Sequence, residues 1–241
     1  MANVADAIRS VKKEPFCSAV IVASGSSSRA GKDKIFSELC GIPALVYSLR
    51  AFERCACVRE IILVVRQEKL EEAAALCERY AIEKVVKIVC GGETRAHSAL
   101  AGVSEVSRKA RLIAIHDGAR PLVTDDLISA VVHNAVLYKA AAPALPVKDT
   151  LKSIKGNFMT RTLSREETVA VQTPQVFLAD LIKAALTDAV TRELPITDDC
   201  SAVELFGVKT RMVPGSEENL KLTTPIDFVV AEAILEKRRN A

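Results

Sequence analysis

The sequence predicts a single α/β domain with a mostly parallel sheet covered by helices on both faces, on three observations. Short Val- and Ile-rich runs recur through the first two thirds of the chain, nearly continuously apolar, as strands buried on both faces are. Longer segments between them place apolar residues at three- and four-residue spacing, the period of amphipathic helices. The chain has 241 residues, 49% of them hydrophobic, enough for a sizeable core.

In chain order, strands are expected over residues 19–23, 60–65, 85–89, 112–115 and 140–147, and helices over 43–53, 68–80, 96–106 and 125–138. The second helix shows the logic. Leu70, Ala73, Ala74 and Cys77 share one face, while Glu68, Lys69, Glu71, Glu72 and Glu78 face water. Strand–helix alternation of this kind implies right-handed crossovers between parallel strands. The rhythm breaks after Val147. Residues 149–164 read as two short strands joined at Lys155-Gly156-Asn157, with too little core to stand alone, hence an arm that packs against something else. A helix over 177–189 and a strand over 208–213 follow. A last helix opens at Thr224-Pro225-Ile226-Asp227, a capping box with proline at the first helical position. With no internal repeat, low-complexity tract or linker, residues 1–241 read as one domain with a projecting hairpin.

Composition excludes several classes of function. The net charge of +3, from 33 basic and 30 acidic residues, creates no field aimed at nucleic acid or a membrane surface. There is no Trp, and aromatics at 4% offer few stacking platforms for single strands. No apolar run approaches the roughly 20 residues that span a bilayer. The first thirteen residues are too polar for a secretory signal and read as a short helix or a frayed leader. Seven cysteines, an odd number without a Cys-x-x-Cys pair, argue against a disulfide framework or structural zinc. Most, Cys90 among them, are expected as small core residues in a protein of the reducing cytoplasm.

Three polar clusters fall at expected strand ends, where open α/β sheets bind ligands. The first runs from Val20 into a small-residue loop carrying Arg29, Lys32 and Lys34, a pattern that suits a polyanion because backbone N–H groups can close around phosphate oxygens. It is not a Walker A loop, since five residues separate Gly25 from Gly31 and Asp33 follows Lys32. Nor is it a dinucleotide fingerprint, since Ser27 stands at the second glycine position. The second cluster is Cys90-Gly-Gly-Glu-Thr-Arg-Ala-His-Ser98, and the third is His116-Asp-Gly-Ala-Arg-Pro121. Asp117, at a strand end facing a phosphate loop, is the candidate Mg²⁺ ligand, with a turn or cap as the alternative. Downstream, Thr173-Pro-Gln and Ile196-Thr-Asp-Asp199 read as turns or helix starts, Asp227 reads as a helix cap, and Lys221 stands out inside an alternating apolar run. His97 and His133 read as surface or packing residues. Three scattered histidines do not make a metal site or a catalytic triad.

Taken together, the order and spacing of these clusters resemble the 2-C-methyl-D-erythritol 4-phosphate cytidylyltransferases of the non-mevalonate isoprenoid pathway. The match is carried by Ala-Ser-Gly-Ser-Ser-Ser-Arg29, Lys34-Ile-Phe-Ser-Glu-Leu-x-Gly-Ile-Pro43, Gly-Gly-Glu-x-Arg95-x-x-Ser98 and His-Asp-Gly-Ala-Arg-Pro121. It continues through Pro146-Val-x-Asp-Thr150, Thr173-Pro-Gln-x-Phe177, Ile-Thr-Asp198 and Asn-Leu-Lys-Leu-Thr-Thr-Pro225, and so spans nearly the whole chain.

The resemblance implies a Rossmann-like sheet of the nucleotide-diphospho-sugar transferase type and a CTP-dependent transfer to 2-C-methyl-D-erythritol 4-phosphate that releases pyrophosphate. It implies that Arg29 and Lys34 contact the triphosphate and stabilise the transition state, and that Asp117 binds Mg²⁺. Ala23, Ser24 and Gly25 would surround the nucleotide, while Gly92, Glu93 and Ser98 would read cytosine. Lys221 and Arg165 would position the substrate phosphate, with Arg120, Thr173 and Thr197 as further substrate contacts. The 149–164 hairpin would be a homodimerisation arm that carries Arg165 into the partner's site. Such chemistry needs positioning and charge neutralisation more than a general base, because the attacking phosphate is already ionised. Five cations (Arg29, Lys34, Arg120, Arg165, Lys221) and one Mg²⁺ suit it.

Departures from the family pattern are local. Val22 replaces Pro, Ser27 the second Gly and Ala30 Met in the opening loop. The usual Pro-Lys-Gln is Asp33-Lys34-Ile35, with Asp33 placed to offset Lys34, and His97 stands where Asp is common. Three other readings compete. A ribitol 5-phosphate cytidylyltransferase shares most motifs, although Ala-Arg-Pro after Asp117 and Thr-Leu-Lys after Asp149 lean to the erythritol enzyme. A non-catalytic nucleotide sensor of the same fold would bind CTP without releasing pyrophosphate. A Rossmann oxidoreductase is opposed by the missing glycine fingerprint.

Overall fold

The computed structural model of the chain describes residues 16–25 and 33–240. Its centre is an eight-stranded sheet formed by β1 (Cys17–Val22), β4 (Val58–Val65), β5 (Val85–Cys90), β6 (Leu112–Asp117), β7 (Ala140–Pro146), β10 (Val169–Val171), β11 (Gln175–Leu178) and β12 (Arg211–Pro214). From edge to edge the strands run β12, β7, β11, β6, β1, β4, β5, with β10 pairing with β7 ahead of β11. The β6–β1–β4–β5 block and the β12–β7 pair are parallel, while β10 and β11 run against their neighbours. A two-residue pair, β2 (Glu38–Leu39) and β3 (Ile42–Pro43), leads into helix α1 (Ala44–Arg54). The remaining helices are α2 (Leu70–Arg79), α3 (Arg95–Ser104), α4 (Asp125–Tyr138), α5 (Ala179–Thr191), α6 (Asp199–Glu204) and α7 (Pro225–Arg239).

The two-sided burial expected from the apolar runs divides residue by residue. In β1, Cys17, Ala19 and Ile21 join the core under α1 and α4, whereas Val20 and Val22 join the core under α3, α5 and α6. Ile61, Leu63 and Val65 alternate with Ile62 and Val64 in β4 in the same way. One close contact fixes α3 on the sheet: a Cβ on Gly102 would run into the side chains of Val20 and Val64. A smaller cluster of Leu39, Ala44, Leu122, Leu222 and Ala231 seats α7 against the β2–β3 turn. The Thr224–Asp227 capping box opens α7 as the sequence indicates.

Several expectations are corrected. The helix expected from residue 177 starts at Ala179, because Val176 and Phe177, both fully buried, are drawn into register with Ala114 and Ile113 of β6. The edge strand spans 211–214, and β2, β3, β10, β11 and α6 are additional elements. Cys90 is exposed at the end of β5 rather than buried in the core, whereas Cys17, Cys55, Cys57 and Cys200 are buried. The hairpin is present as β8 (Lys152–Lys155) and β9 (Phe158–Thr162), with Gly156 at φ +58° in its turn. Its side chains Ile154, Phe158 and Met159 are each more than 70% exposed.

Candidate nucleotide site

Parallel strands β1, β4, β5 and β6 all end at the same edge, so the segments that follow them converge on one cleft of about 530 Å³. Ser24, Gly25, Lys34, Gly92, Glu93, Ser98, Asp117 and Lys221, eight of the residues singled out in the sequence, line it. Ala23 is buried behind them, its N–H donating to Val64 O at 2.7 Å. Arg29 lies outside the described residues, as do the substitutions at Ser27 and Ala30.

One buried hydroxyl joins the two loops. Ser24 Oγ donates to Ser98 Oγ at 2.8 Å, and Ser98 Oγ also accepts from Gly92 N at 3.1 Å. Such a close approach needs glycine at position 91, where a Cβ would meet Ser24 Oγ at 2.6 Å and Ser98 Oγ at 2.8 Å. Thr94 then caps α3 by accepting from His97 N and pairing with His97 Nδ1 at 2.8 Å, which gives His97 a local capping role.

At the opposite side of the cleft, Asp117 ends β6 between two cations. Arg95 Nε donates to Oδ1 at 3.0 Å and Lys221 Nζ to Oδ2 at 2.6 Å. Burial alone would raise this carboxyl, but Arg95 and Lys221 outweigh it and hold Asp117 well below the ordinary carboxylate range. Arg95 is itself shared: its Nη1 and Nη2 form a fork on Asp199, which is fully buried, at 3.0 and 2.8 Å. Burial works against the Arg95 cation, and the two aspartates more than restore it. The result is a chain Lys221–Asp117–Arg95–Asp199 spanning β6, α3 and α6.

Thr173 and Arg120 support this site from behind. Asp117 N donates to Thr173 Oγ1 at 3.1 Å, and the Thr173 hydroxyl lies 3.0 Å from His116 Nδ1. His116 Nε2 lies 3.2 Å from Arg120 O, and burial pushes the ring down to about 4, so it is neutral with its proton on Nε2. Arg120 Nη1 donates to Asn219 O at 2.7 Å, tying the Asp117 turn to the Lys221 segment. Thr197 lines a smaller cavity of about 170 Å³, and Thr94 and Arg95 form part of the wall between it and the main cleft. Arg165 stands apart. It is exposed at the base of the hairpin, in a hollow with Asp149, Thr150 and Thr162.

Arg95 and Asp199 stand within sequence motifs that give neither a role, and no motif contains Arg66. The Asp33 carboxylate, expected to offset the charge of Lys34, is engaged by Arg66. No local signal announces pairs whose members lie 33 or 104 residues apart.

Among the described residues no group of three or more His, Cys, Asp or Glu side chains is placed to hold a metal ion. Asp117 offers a single ionised carboxylate with lone pairs beyond the two its cations occupy. That suits a divalent cation completed by substrate phosphates and water.

The IspD family model, 2-C-methyl-D-erythritol 4-phosphate cytidylyltransferase, matches residues 17–237. The chain is 44% identical to the 2-C-methyl-D-erythritol 4-phosphate cytidylyltransferase of Caldanaerobacter subterraneus subsp. tengcongensis over 91% of this chain and 99% of that protein. It is equally 44% identical to the protein of the same name from Halalkalibacterium halodurans, over 92% and 99%. The fold superimposes on the crystal structure of 4-diphosphocytidyl-2C-methyl-D-erythritol synthase from Anaerococcus prevotii with a TM-score of 0.82 at 30% identity, covering 93% of this chain and all of that one.

Proposed function

Since the chain belongs to the 2-C-methyl-D-erythritol 4-phosphate cytidylyltransferase family, we propose that it transfers a cytidylyl group from CTP to 2-C-methyl-D-erythritol 4-phosphate, giving 4-diphosphocytidyl-2-C-methyl-D-erythritol and pyrophosphate. The observation that carries this reading is Asp117, held ionised between Arg95 and Lys221 in the cleft lined by Ser24, Gly25, Gly92 and Ser98. An ionised phosphate oxygen of the second substrate attacks the α-phosphorus of CTP. A P–O bond forms there as the bond to the β-phosphate bridging oxygen breaks, and pyrophosphate leaves with that electron pair. Two polyanions must approach one another, and neutralising their repulsion is the chief task of the protein.

In this reading the Gly92–Ser98 segment holds the base, and Lys34, with Arg29, binds the triphosphate. Asp117 would hold Mg²⁺, which when bound neutralises phosphate charge; the carboxylate is ionised and retains lone pairs for it. Lys221 orients the phosphate of the second substrate, and Arg120, Thr173 and Thr197 contact or support it.

Arg165 completes the site from a second copy of the chain. Its place in a hollow apart from the cleft and the exposed Ile154, Phe158 and Met159 of the hairpin support a homodimer joined through that arm. A cytoplasmic location accords with the free cysteines. Among the described residues no helix is long and apolar enough to cross a membrane.

The test is pyrophosphate release from CTP and Mg²⁺ with methylerythritol phosphate and ribitol 5-phosphate side by side. Release with the first alone is expected. Release with ribitol phosphate alone would move the chain to polyol phosphate metabolism, and CTP binding without release would make it a sensor.

A further inference from the structure

Next to Lys34 the cleft holds a cation that the reading above does not use. Arg66 directly follows β4 and lines the cleft with Lys34. Its Nη2 pairs with the Asp33 carboxylate, and its Nε lies 3.1 Å from Glu68 Oε1. The side chains of both Arg66 and Asp33 are about three-quarters buried. A second cation stands ready for the same carboxylate: Lys69 Nζ is 3.9 Å from Asp33 Oδ2, over the Phe36 ring and paired with Glu72.

We propose that Arg66 is a further triphosphate-binding residue of this cleft, held by Asp33 and drawn from it to the phosphates when nucleotide binds. The inference rests on the reading of the cleft as a CTP site. A guanidinium fork matches two phosphate oxygens, and a triphosphate presents up to four negative charges where Asp33 and the more exposed Glu68 present one each, so the exchange favours the ligand. Losing Arg66 does not strand Asp33, because Lys69 lies within ion-pair range and can close on it. Asp33 thereby acts as an internal competitor for the triphosphate, and the pair sets the affinity for CTP rather than the chemistry at the α-phosphorus.

Calorimetric titration of the full chain with CTP and with CMP, which lacks the β- and γ-phosphates, separates this role from simple bracing. Arg66→Ala is expected to weaken CTP on the order of tenfold and to leave CMP within about twofold, as loss of a charge-assisted contact to the outer phosphates requires. Asp33→Asn is expected to tighten CTP about threefold, because the competitor is gone. Arg66→Lys, which keeps the charge without the fork, should fall between the parent and Arg66→Ala. If Arg66 merely braced the loop, Arg66→Ala and Asp33→Asn would break one and the same pair, and both would weaken CTP and CMP alike. That result overturns the inference, as does parental CTP affinity in Arg66→Ala. Failure of the unaltered protein to bind CTP would overturn the nucleotide-site reading and this inference with it.

Discussion

Lys221 Nζ lies 2.6 Å from Asp117 Oδ2, so the cation proposed for the substrate phosphate and the carboxylate proposed for the metal neutralise one another. Each holds the other in place without leaving a buried charge unpaired. If the proposed roles hold, substrate binding redistributes that pair, drawing Lys221 toward phosphate and freeing an Asp117 oxygen. The Arg95 contact to Oδ1 keeps the carboxylate oriented meanwhile.

Lys221→Ala is therefore expected to lower turnover at least about 100-fold, the scale of losing one preorganised charge at a reacting phosphate. The Lys221 side chain is 40% exposed, so the fold should persist. Arg29→Ala is expected to lose as much by the family assignment. Near-parental kcat in both variants would remove the proposed mechanism; circular dichroism melts would check that both are folded.

Arg95→Ala leaves Asp199 buried without its fork and should cost about 3–5 kcal/mol of stability, the penalty for stranding a buried charge. Asp199→Asn removes that charge and should cost less. Urea unfolding of the two variants decides this, and equal losses would show that stranding the Asp199 charge costs little.

Gly91→Ala forces a methyl group against Ser24 and Ser98 and should weaken CTP binding at least about tenfold, because the two loops must part to admit it. Unchanged CTP affinity by calorimetry would mean that the two loops can separate at no cost to the site.

Stability should depend on His116. Burial holds the folded-state ring down to about 4 against an ordinary value of 6.5, so the unfolded chain binds its proton first. Above pH 6.5 the ring is neutral in both states and costs nothing. As pH falls from 6.5 toward 4, stability should drop by up to about 3 kcal/mol. His116→Gln should flatten that part of the urea midpoint–pH curve; an unchanged slope would assign it to other groups.

If Arg165 acts in a partner's site, inactive Arg165→Ala and Lys221→Ala chains should complement one another. Random mixing makes half the dimers mixed, each with one intact site, so activity should recover to about a quarter of the parent's. No recovery on mixing, with dimers confirmed by sedimentation, would place Arg165 in its own chain's site.

The sequence alone determined the α/β class, the parallel block with its two buried faces, the hairpin, the α7 cap and most of the residues around the cleft. These are written in local periodicity, in turn chemistry and in motifs that need only their neighbours in the chain. Tertiary structure decided the rest. Phe177 has no local preference strong enough to forbid a helix, and burial between β6 and β7 makes it strand. Cys90 has an apolar context in sequence yet ends β5 at the exposed edge of the sheet. Nothing near Arg95 indicates that it will fork onto Asp199, nor anything near Asp33 that it will pair with Arg66. Burial and charge pairing act through space, so only the folded chain fixes which charges meet and which are left for the ligand.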